Sequence, residues 1–218
     1  MSELVLPTGI DPAMTALLVV DLQPDFMPGG ALPVTGGDAI AAPIAELVLS
    51  RRFPVLVATQ DWHPPDHISF AANHVGRQPF EVIELYDREQ VLWPVHCVQG
   101  TPGAALHPTL ITGPAAAIVR KGMDPAVDSY SAFRNNHGPD GSRPTTGLAG
   151  YLRDRGVTGV VVCGLARDYC VKWSAEDAAE AGFRVHVLWD LTRPVDPGSD
   201  EEVRAALASR GVHIVANL

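Results

Sequence analysis

Four residues stand where an apolar run stops and chemistry could begin. Asp21 follows Ala16-Leu17-Leu18-Val19-Val20, and Asp61 closes the stretch that starts Val55-Leu56-Val57-Ala58. Lys121 follows the run from Ala115 to Val119, and Cys170 lies a few residues beyond the run Val157 to Cys163. Two carboxylates, an amine and a thiol can together activate a nucleophile. A thiolate attacks an amide or ester carbonyl, and nearby backbone N–H groups can hold the oxyanion. An Asp can take the thiol proton, and a Lys can keep that Asp ionised. Cys170 sits in Gly164-Leu165-Ala166-Arg167-Asp168-Tyr169-Cys170, between a strand and a helix, where a helix N-terminus is expected to lower its pKa. Each residue also has a plainer reading: Cys170 as a buried structural thiol, Asp21 as a cap, Lys121 as a solvated charge. Their joint placement at strand ends favours shared chemistry.

A second set is Asp61-Trp62-His63, with His67 four residues on and His96 in Trp93-Pro94-Val95-His96-Cys97. Along an extended chain the side chains of Asp61 and His63 fall on the same side. One carboxylate with two or three imidazoles suits a first-row divalent ion such as Zn, Fe or Mn. The plainer reading is a group of polar loop histidines, since four of the eight histidines (His63, His67, His74, His96) lie in this stretch. His74 has no motif around it, and His107 before Pro108 reads as a turn residue. Cys97 has no carboxylate or Lys placed to activate it and is expected to pack or cap its loop. Cys163, inside an apolar run, is expected in the core.

The elements that would position these groups follow from the pattern. Continuous β-branched runs suit strands buried on both faces, as in a parallel sheet. Six such runs, the last being Val212 to Val215, alternate with helical candidates. Asp38 is expected to cap a helix toward Ser50 that has Pro43 early in it; further helices are expected from Gly147 to Arg155 and from Tyr169 to Ala181. Ser199 with Glu202 reads as a capping box opening a helix that Gly211 ends. The alternation predicts one three-layer α/β/α domain over residues 1–218 with a mostly parallel six-stranded sheet. Residues 62–113 break the rhythm as an irregular insertion carrying the metal candidates, and such stretches are usually functional. A second irregular stretch, from Gly122 to Thr146, is expected to form a flexible surface loop around Asn135 to Gly141.

Composition narrows the function classes. Of the 218 residues 46% are hydrophobic and 19% charged, which excludes a chain disordered throughout. The net charge of -9 and the lack of a Lys/Arg run leave no footprint for nucleic acid or an anionic membrane. No apolar stretch approaches the roughly 20 residues of a membrane span. Three cysteines argue against a disulfide framework and for a reducing compartment. With no secretory pattern at Met1-Ser2-Glu3-Leu4, a cytoplasmic location is expected.

These residues resemble the nicotinamidase (pyrazinamidase) branch of the isochorismatase-like cysteine hydrolases over roughly Ala16 to Ala216. The matching segments are Val19 to Phe26, Gln60-Asp61-Trp62-His63-Pro64, Trp93 to Ala104, Arg120-Lys121-Gly122 and Gly164 to Val171. Asp, Lys and Cys in this order mark the superfamily; Asp-x-His with Trp-Pro-x-His-Cys marks the metal-containing branch. The resemblance implies Cys170 as nucleophile, Asp21 as general acid/base and Lys121 as its ionic partner, with Asp61, His63 and His96 as metal ligands. His67 falls near a position that is a fourth ligand in some members, at a spacing two residues shorter here. Phe26, Trp93 and Tyr130 match aromatic pocket positions. Ala166 and Cys170 would supply oxyanion-hole N–H groups, with a cis peptide between Leu165 and Ala166. The implied reaction converts nicotinamide to nicotinate and ammonia in NAD salvage, with pyrazinamide as a further substrate and one divalent ion as cofactor. The implied partner is this small molecule, with neither nucleic acid nor membrane, and homo-oligomerisation is left open. The alternatives are a carbamoyl or ureido amidohydrolase of the same superfamily, which generally lacks the Asp-x-His set, and a binding module with a relic site. Isochorismate hydrolysis fits less well, since it has no obvious use for Cys170 or the metal ligands.

Overall fold

In a computed structural model, residues 9–110 and 115–216 are described. The end of the insertion at 111–113 and the chain start lie outside them. Among the described residues, eight strands and four α-helices follow in chain order. They are β1 (Thr15–Val20), α1 (Ala41–Leu49), β2 (Val55–Asp61), β3 (Val82–Leu85), β4 (Arg88–Val91), β5 (Ala117–Lys121), α2 (Leu148–Arg153), β6 (Gly159–Leu165), α3 (Lys172–Glu180), β7 (Arg184–Arg193), α4 (Asp200–Ser209) and β8 (His213–Val215). The six strands expected from the apolar runs form one sheet in the order β5-β2-β1-β6-β7-β8. Every pairing in it is parallel.

Alternate residues of a strand feed opposite cores because side chains alternate across the sheet. Leu17 and Val19 of β1 with Val161, Cys163 and Leu165 of β6 pack on α1 through Ile44 and Leu47. Ala16, Leu18 and Val20 with Val160 and Val162 pack on the other face against Leu152 of α2, Ala175 and Ala178 of α3, and Leu207 of α4. Both faces are therefore apolar, which is why these runs read as continuous rather than alternating. The three-layer expectation holds, with α1 on one face and α2, α3 and α4 on the other.

Some local expectations need correction. Asp38 caps nothing: it lies inside a single 3₁₀ turn, Asp38–Ile40, that leads into α1, and its side chain makes no cap bond. Pro43 falls in the first turn of α1, where its missing N–H costs no helical bond. Ser199 does precede α4, but its hydroxyl donates to the Asp196 carbonyl at 2.7 Å instead of closing a capping box. The irregular insertion contains an antiparallel hairpin, β3–β4. Its two central turn residues, Tyr86 and Asp87, both have positive φ, as a type I′ turn requires. The stretch around Asn135 to Gly141 forms neither helix nor strand and is closed by Gly138 N–H to Ser142 carbonyl and Asn135 N–H to Pro144 carbonyl. No helix among the described residues is long and apolar enough to cross a membrane.

Candidate active site

The chain fills the sheet outward from β1 in two directions, β2 then β5 on one side and β6, β7, β8 on the other. The carboxyl ends of β1 and β6 thus flank a switch point, where ligands bind in open α/β sheets. Gly164 makes the approach of these strands possible. Its φ is +113° and an added Cβ would collide with the Val20 backbone. Asp21 follows β1, and the turn leading to Cys170 follows β6. Asp61 and Lys121 end β2 and β5 as direct register partners. Four residues distant in sequence are thereby gathered at one edge of the sheet.

Lys121 is the hub. Its Nζ, fully buried, lies 2.6 Å from Asp61 Oδ1 and 2.8 Å from Asp21 Oδ2. It also reaches the Ser129 carbonyl at 3.2 Å and Cys170 Sγ at 3.3 Å. Thr59 clasps Asp21 from behind: its hydroxyl donates to Asp21 Oδ1 at 2.6 Å and accepts the Asp21 N–H at 3.0 Å. This supports Asp21 at a φ of +44°, a left-handed conformation uncommon outside glycine. Gln23 braces the other carboxylate's backbone, donating to the Asp61 carbonyl and accepting the Asp61 N–H, both within 2.9 Å.

Burial sets the protonation of this cluster, and the charges correct it. Burial raises the Asp21 pKa, Lys121 opposes that rise and the charge of Asp61 adds to it. Burial also resists ionisation of Asp61, but Lys121 and His63 outweigh it and hold Asp61 well below the usual carboxylate range. Lys121 stays charged because its two carboxylates overcome its desolvation. A proton arriving at this pair of acids therefore goes to Asp21. The Cys170 thiol runs against the expectation from sequence. Burial, with Asp21 and Asp61 adding to it against Lys121, pushes its pKa well up. The helix start is there, as a π-turn over Arg167–Val171 running into α3, but its partial charge does not offset burial beside two carboxylates. Cys97 and Cys163 are likewise buried thiols raised mainly by burial. They occupy the packing positions expected for them.

The second oxygen of Asp61 faces the histidines. Oδ2 is 3.2 Å from His63 Nε2 and 3.6 Å from His96 Nε2. Ligand atoms of Asp61, His63 and His96 lie within 4.8 Å of one another, all on buried residues. Nδ1 of His63 faces the Gly122 carbonyl at 2.9 Å, and Nδ1 of His96 faces the Pro94 carbonyl at 2.8 Å. Such outer partners fix Nδ1 as the donor and leave Nε2 as the free ligand atom. Gly122 is required there, since with φ at +64° an added Cβ would strike the His63 ring. His67 lies against His63, the rings tilted by 42° with centroids 4.2 Å apart, and its buried Nε2 has no hydrogen-bond partner among the described residues. Burial and His63 depress its pKa to about 4, so it is neutral and able to ligate. It groups with His63 and Asp128 rather than with Asp61 and His96. This donor set, with the unpartnered Nε2 of His67 beside it, fits a first-row divalent ion. A third set, Asp21 with Asp61 and Cys170, already holds the Lys121 ammonium.

A pocket joins the two constellations. Phe26, Trp93, Tyr130, Ala166 and Cys170 all line it, as do Asp61, His63 and His96, while His67 stands behind the wall. The Leu165–Ala166 peptide is cis. Sequence reasoning missed Asp128, Tyr169 and Val195, which also line the pocket, and Gln90, which organises it. Gln90 Nε2 is 2.8 Å from Asp128 Oδ2 and 3.2 Å from the Tyr130 hydroxyl, which also accepts from Trp93 Nε1 at 3.2 Å. Gln90 carried no signal, since its hairpin is half-exposed and has no apolar stripe. Tyr169 adjoins Cys170, and Asp128 lies two residues before Tyr130. Those adjacencies were the available cues.

Comparison with known proteins places this geometry. The isochorismatase domain profile matches residues 15–217. The chain is 47% identical to the nicotinamidase of Acinetobacter baylyi over 93% of its length and 92% of that protein's. The structure of the Acinetobacter baumanii nicotinamidase/pyrazinamidase superposes with a TM-score of 0.88 at 46% identity, covering 95% of this chain and 98% of that one. The pyrazinamidase of Pyrococcus horikoshii, solved in complex with zinc, gives a TM-score of 0.75 at 38% identity over 94% of this chain and 99% of its own.

Proposed function

We propose that this chain, which belongs to the isochorismatase domain family, is a nicotinamidase that hydrolyses nicotinamide to nicotinate and ammonia through a thioester on Cys170. One observation carries the reading: a single carboxylate, Asp61, serves both constellations. One of its oxygens pairs with Lys121, which contacts Cys170, and the other faces His63 and His96. A cysteine nucleophile is thereby held at a fixed distance from a metal-competent set across one small pocket. The 47% identity to a nicotinamidase over nearly the whole chain supports the same substrate.

The flat pyridine ring fits among Phe26, Trp93 and Tyr130, with its carboxamide toward Cys170. Asp61, His63 and His96 would hold one divalent ion, with His67 behind them; zinc is favoured by the Pyrococcus relative, and iron and manganese suit the same donors. Bound there, the ion would supply a Lewis acid that anchors and polarises the ring. The resting thiol is protonated, so attack begins as its proton passes to Asp21, whose raised pKa suits it to receive one. Lys121, 3.3 Å from Sγ, stabilises the thiolate as it forms. Sulfur adds to the carbonyl carbon, and the N–H groups of Ala166 and Cys170 take the oxyanion. Asp21 returns its proton to the leaving nitrogen, and ammonia departs. Asp21 then takes a proton from water, whose oxygen attacks the thioester; the carbon–sulfur bond breaks, Asp21 gives the proton to sulfur to restore the thiol, and nicotinic acid leaves as nicotinate.

We also place the protein in the cytoplasm and read it as one domain, on the strength of three free, buried cysteines and a continuous six-stranded central sheet. The deciding assay is ammonia release from nicotinamide before and after chelation. Turnover that falls on chelation and returns with a divalent ion is expected. Full activity in a metal-free preparation, or release from a ureido compound in preference to nicotinamide, would move the chain to the carbamoyl/ureido amidohydrolases.

A further inference from the structure

Asp25 stands outside the pocket wall and touches no group of the proposed reaction. Its carboxylate nevertheless accepts the Cys97 N–H at 2.7 Å through Oδ2. Cys97 has a φ of +46°, a left-handed conformation that a residue with a Cβ adopts only under local support. The two sides of Cys97 face two different histidines. Its N–H belongs to the peptide that joins it to His96, and its carbonyl accepts the His63 N–H at 3.0 Å. The Gln99 N–H returns to the His63 carbonyl at 2.9 Å. The left-handed turn at Cys97 therefore fixes the strand-like segment bearing His63 against the loop bearing His96. Among the described residues, Asp25 supplies the one side-chain oxygen that accepts this N–H. Gly103 presses on the same carboxylate: an added Cβ there would run into the Asp25 oxygens.

We infer that Asp25 is a positioning residue for the metal site, holding the Cys97 turn so that His96 meets His63 and Asp61 at ligand distance. This rests on the metal reading proposed above and assigns Asp25 no contact with the ion or the substrate. The bond is charge-assisted and shorter than a typical N–H···O contact. Outer partners of metal ligands of this kind typically contribute about 10–100-fold in metal affinity.

The test is titration of the chelated, full-length protein with Zn²⁺ against a chromophoric competitor, with Cys170 alkylation and thermal melting followed in parallel. Asp25→Ala is expected to weaken Zn²⁺ binding by about 10–100-fold with alkylation unchanged. Gly103→Ala, which keeps Asp25 but displaces its carboxylate, should do the same. Asp25→Asn retains an acceptor oxygen but not the charge and should bind more tightly than Asp25→Ala, between it and wild type. Adding Cys97→Gly to Asp25→Ala should restore most of the affinity, because glycine holds a positive φ unaided. A residue that only stabilised the fold would lower the melting temperature without that rescue. Wild-type affinity in both Asp25→Ala and Gly103→Ala, or no recovery in the double variant, overturns the inference and leaves the metal site standing. A wild-type protein that binds no Zn²⁺ overturns both. Should Asp25→Ala fail to melt cooperatively, Gly103→Ala against Asp25→Asn carries the same comparison.

Discussion

The two halves of the site share Asp61 but are built by different means. The Asp21–Lys121–Cys170 half hangs on the ends of β1, β5 and β6, where parallel register sets the spacing and Lys121 needs only to reach its neighbour on β2. The metal and pocket half lies mostly in the stretch from His63 to His96, where the only regular structure is the half-exposed β3–β4 hairpin and short turns. There, position comes from polar clasps: His63 on the Gly122 carbonyl, His96 on Pro94, Tyr130 beside Gln90. A sheet supplies geometry as a by-product of its own hydrogen bonds, whereas an insertion must supply it group by group. Damage to the first half should therefore be chemical and local, and damage to the second graded and structural.

The largest effect expected is at Cys170. Cys170→Ala should abolish ammonia release while metal content and melting stay as in wild type; residual turnover above about a hundredth would assign the attack to another group. Next is Asp21→Asn, which should lower kcat by about 10²–10⁴-fold with KM little changed. A change confined to KM would make Asp21 a binding residue and weaken the contrast between the halves.

Lys121→Met tests the joint between them. It leaves two buried carboxylates without their counter-charge, and breaking such a set from one side costs about 3–5 kcal/mol. Chemical denaturation should show a loss of that order, and both thiol reactivity and metal content should fall. A variant as stable as wild type would mean that Asp21 and Asp61 share a proton in place of the ammonium.

In the insertion, His63→Ala and His96→Ala should each lose most of the bound metal, read by elemental analysis. They should raise KM for nicotinamide more than they lower kcat, and leave Cys170 alkylation at its wild-type rate. Loss of the reactive thiol in either variant would erase the separation argued here. The mildest change is Gln90→Leu. It removes a donor from buried Asp128, at about 1–3 kcal/mol of stability, and should raise KM while kcat and metal content hold. An unchanged KM would show that the aromatic wall needs no support from the hairpin.

Reading the residues in order was enough to find the sheet and to expect Asp21, Lys121 and Cys170 together at its edge, because each strand is a continuous apolar run and each of these residues follows one. The Asp-x-His spacing announced the approach of Asp61 and His63 for the same reason: side chains two apart on an extended chain share a side. Glycines ended helices where they were expected to, at Gly156, Gly182 and Gly211, all with positive φ. Caps were less legible. Asp38 and Ser199 had the right residue type, but each hydroxyl or carboxylate chooses among competing partners that only the folded loop presents.

What the sequence determined by itself was therefore what local pattern can encode: the strands, their stops, and the identity of the groups placed at them. Tertiary structure decided everything that depends on neighbours from elsewhere in the chain. It set the direction of the Cys170 pKa, which follows from burial among Asp21, Asp61 and Lys121 and not from the helix start alone. It brought Gln90 to Asp128 and Tyr130 across some 40 positions of sequence, and placed Asp25 under Cys97. Periodicity reports which face of an element is apolar. It carries no record of desolvation or of a hydrogen bond closed over a long loop, because both exist only once distant segments have excluded water from one another.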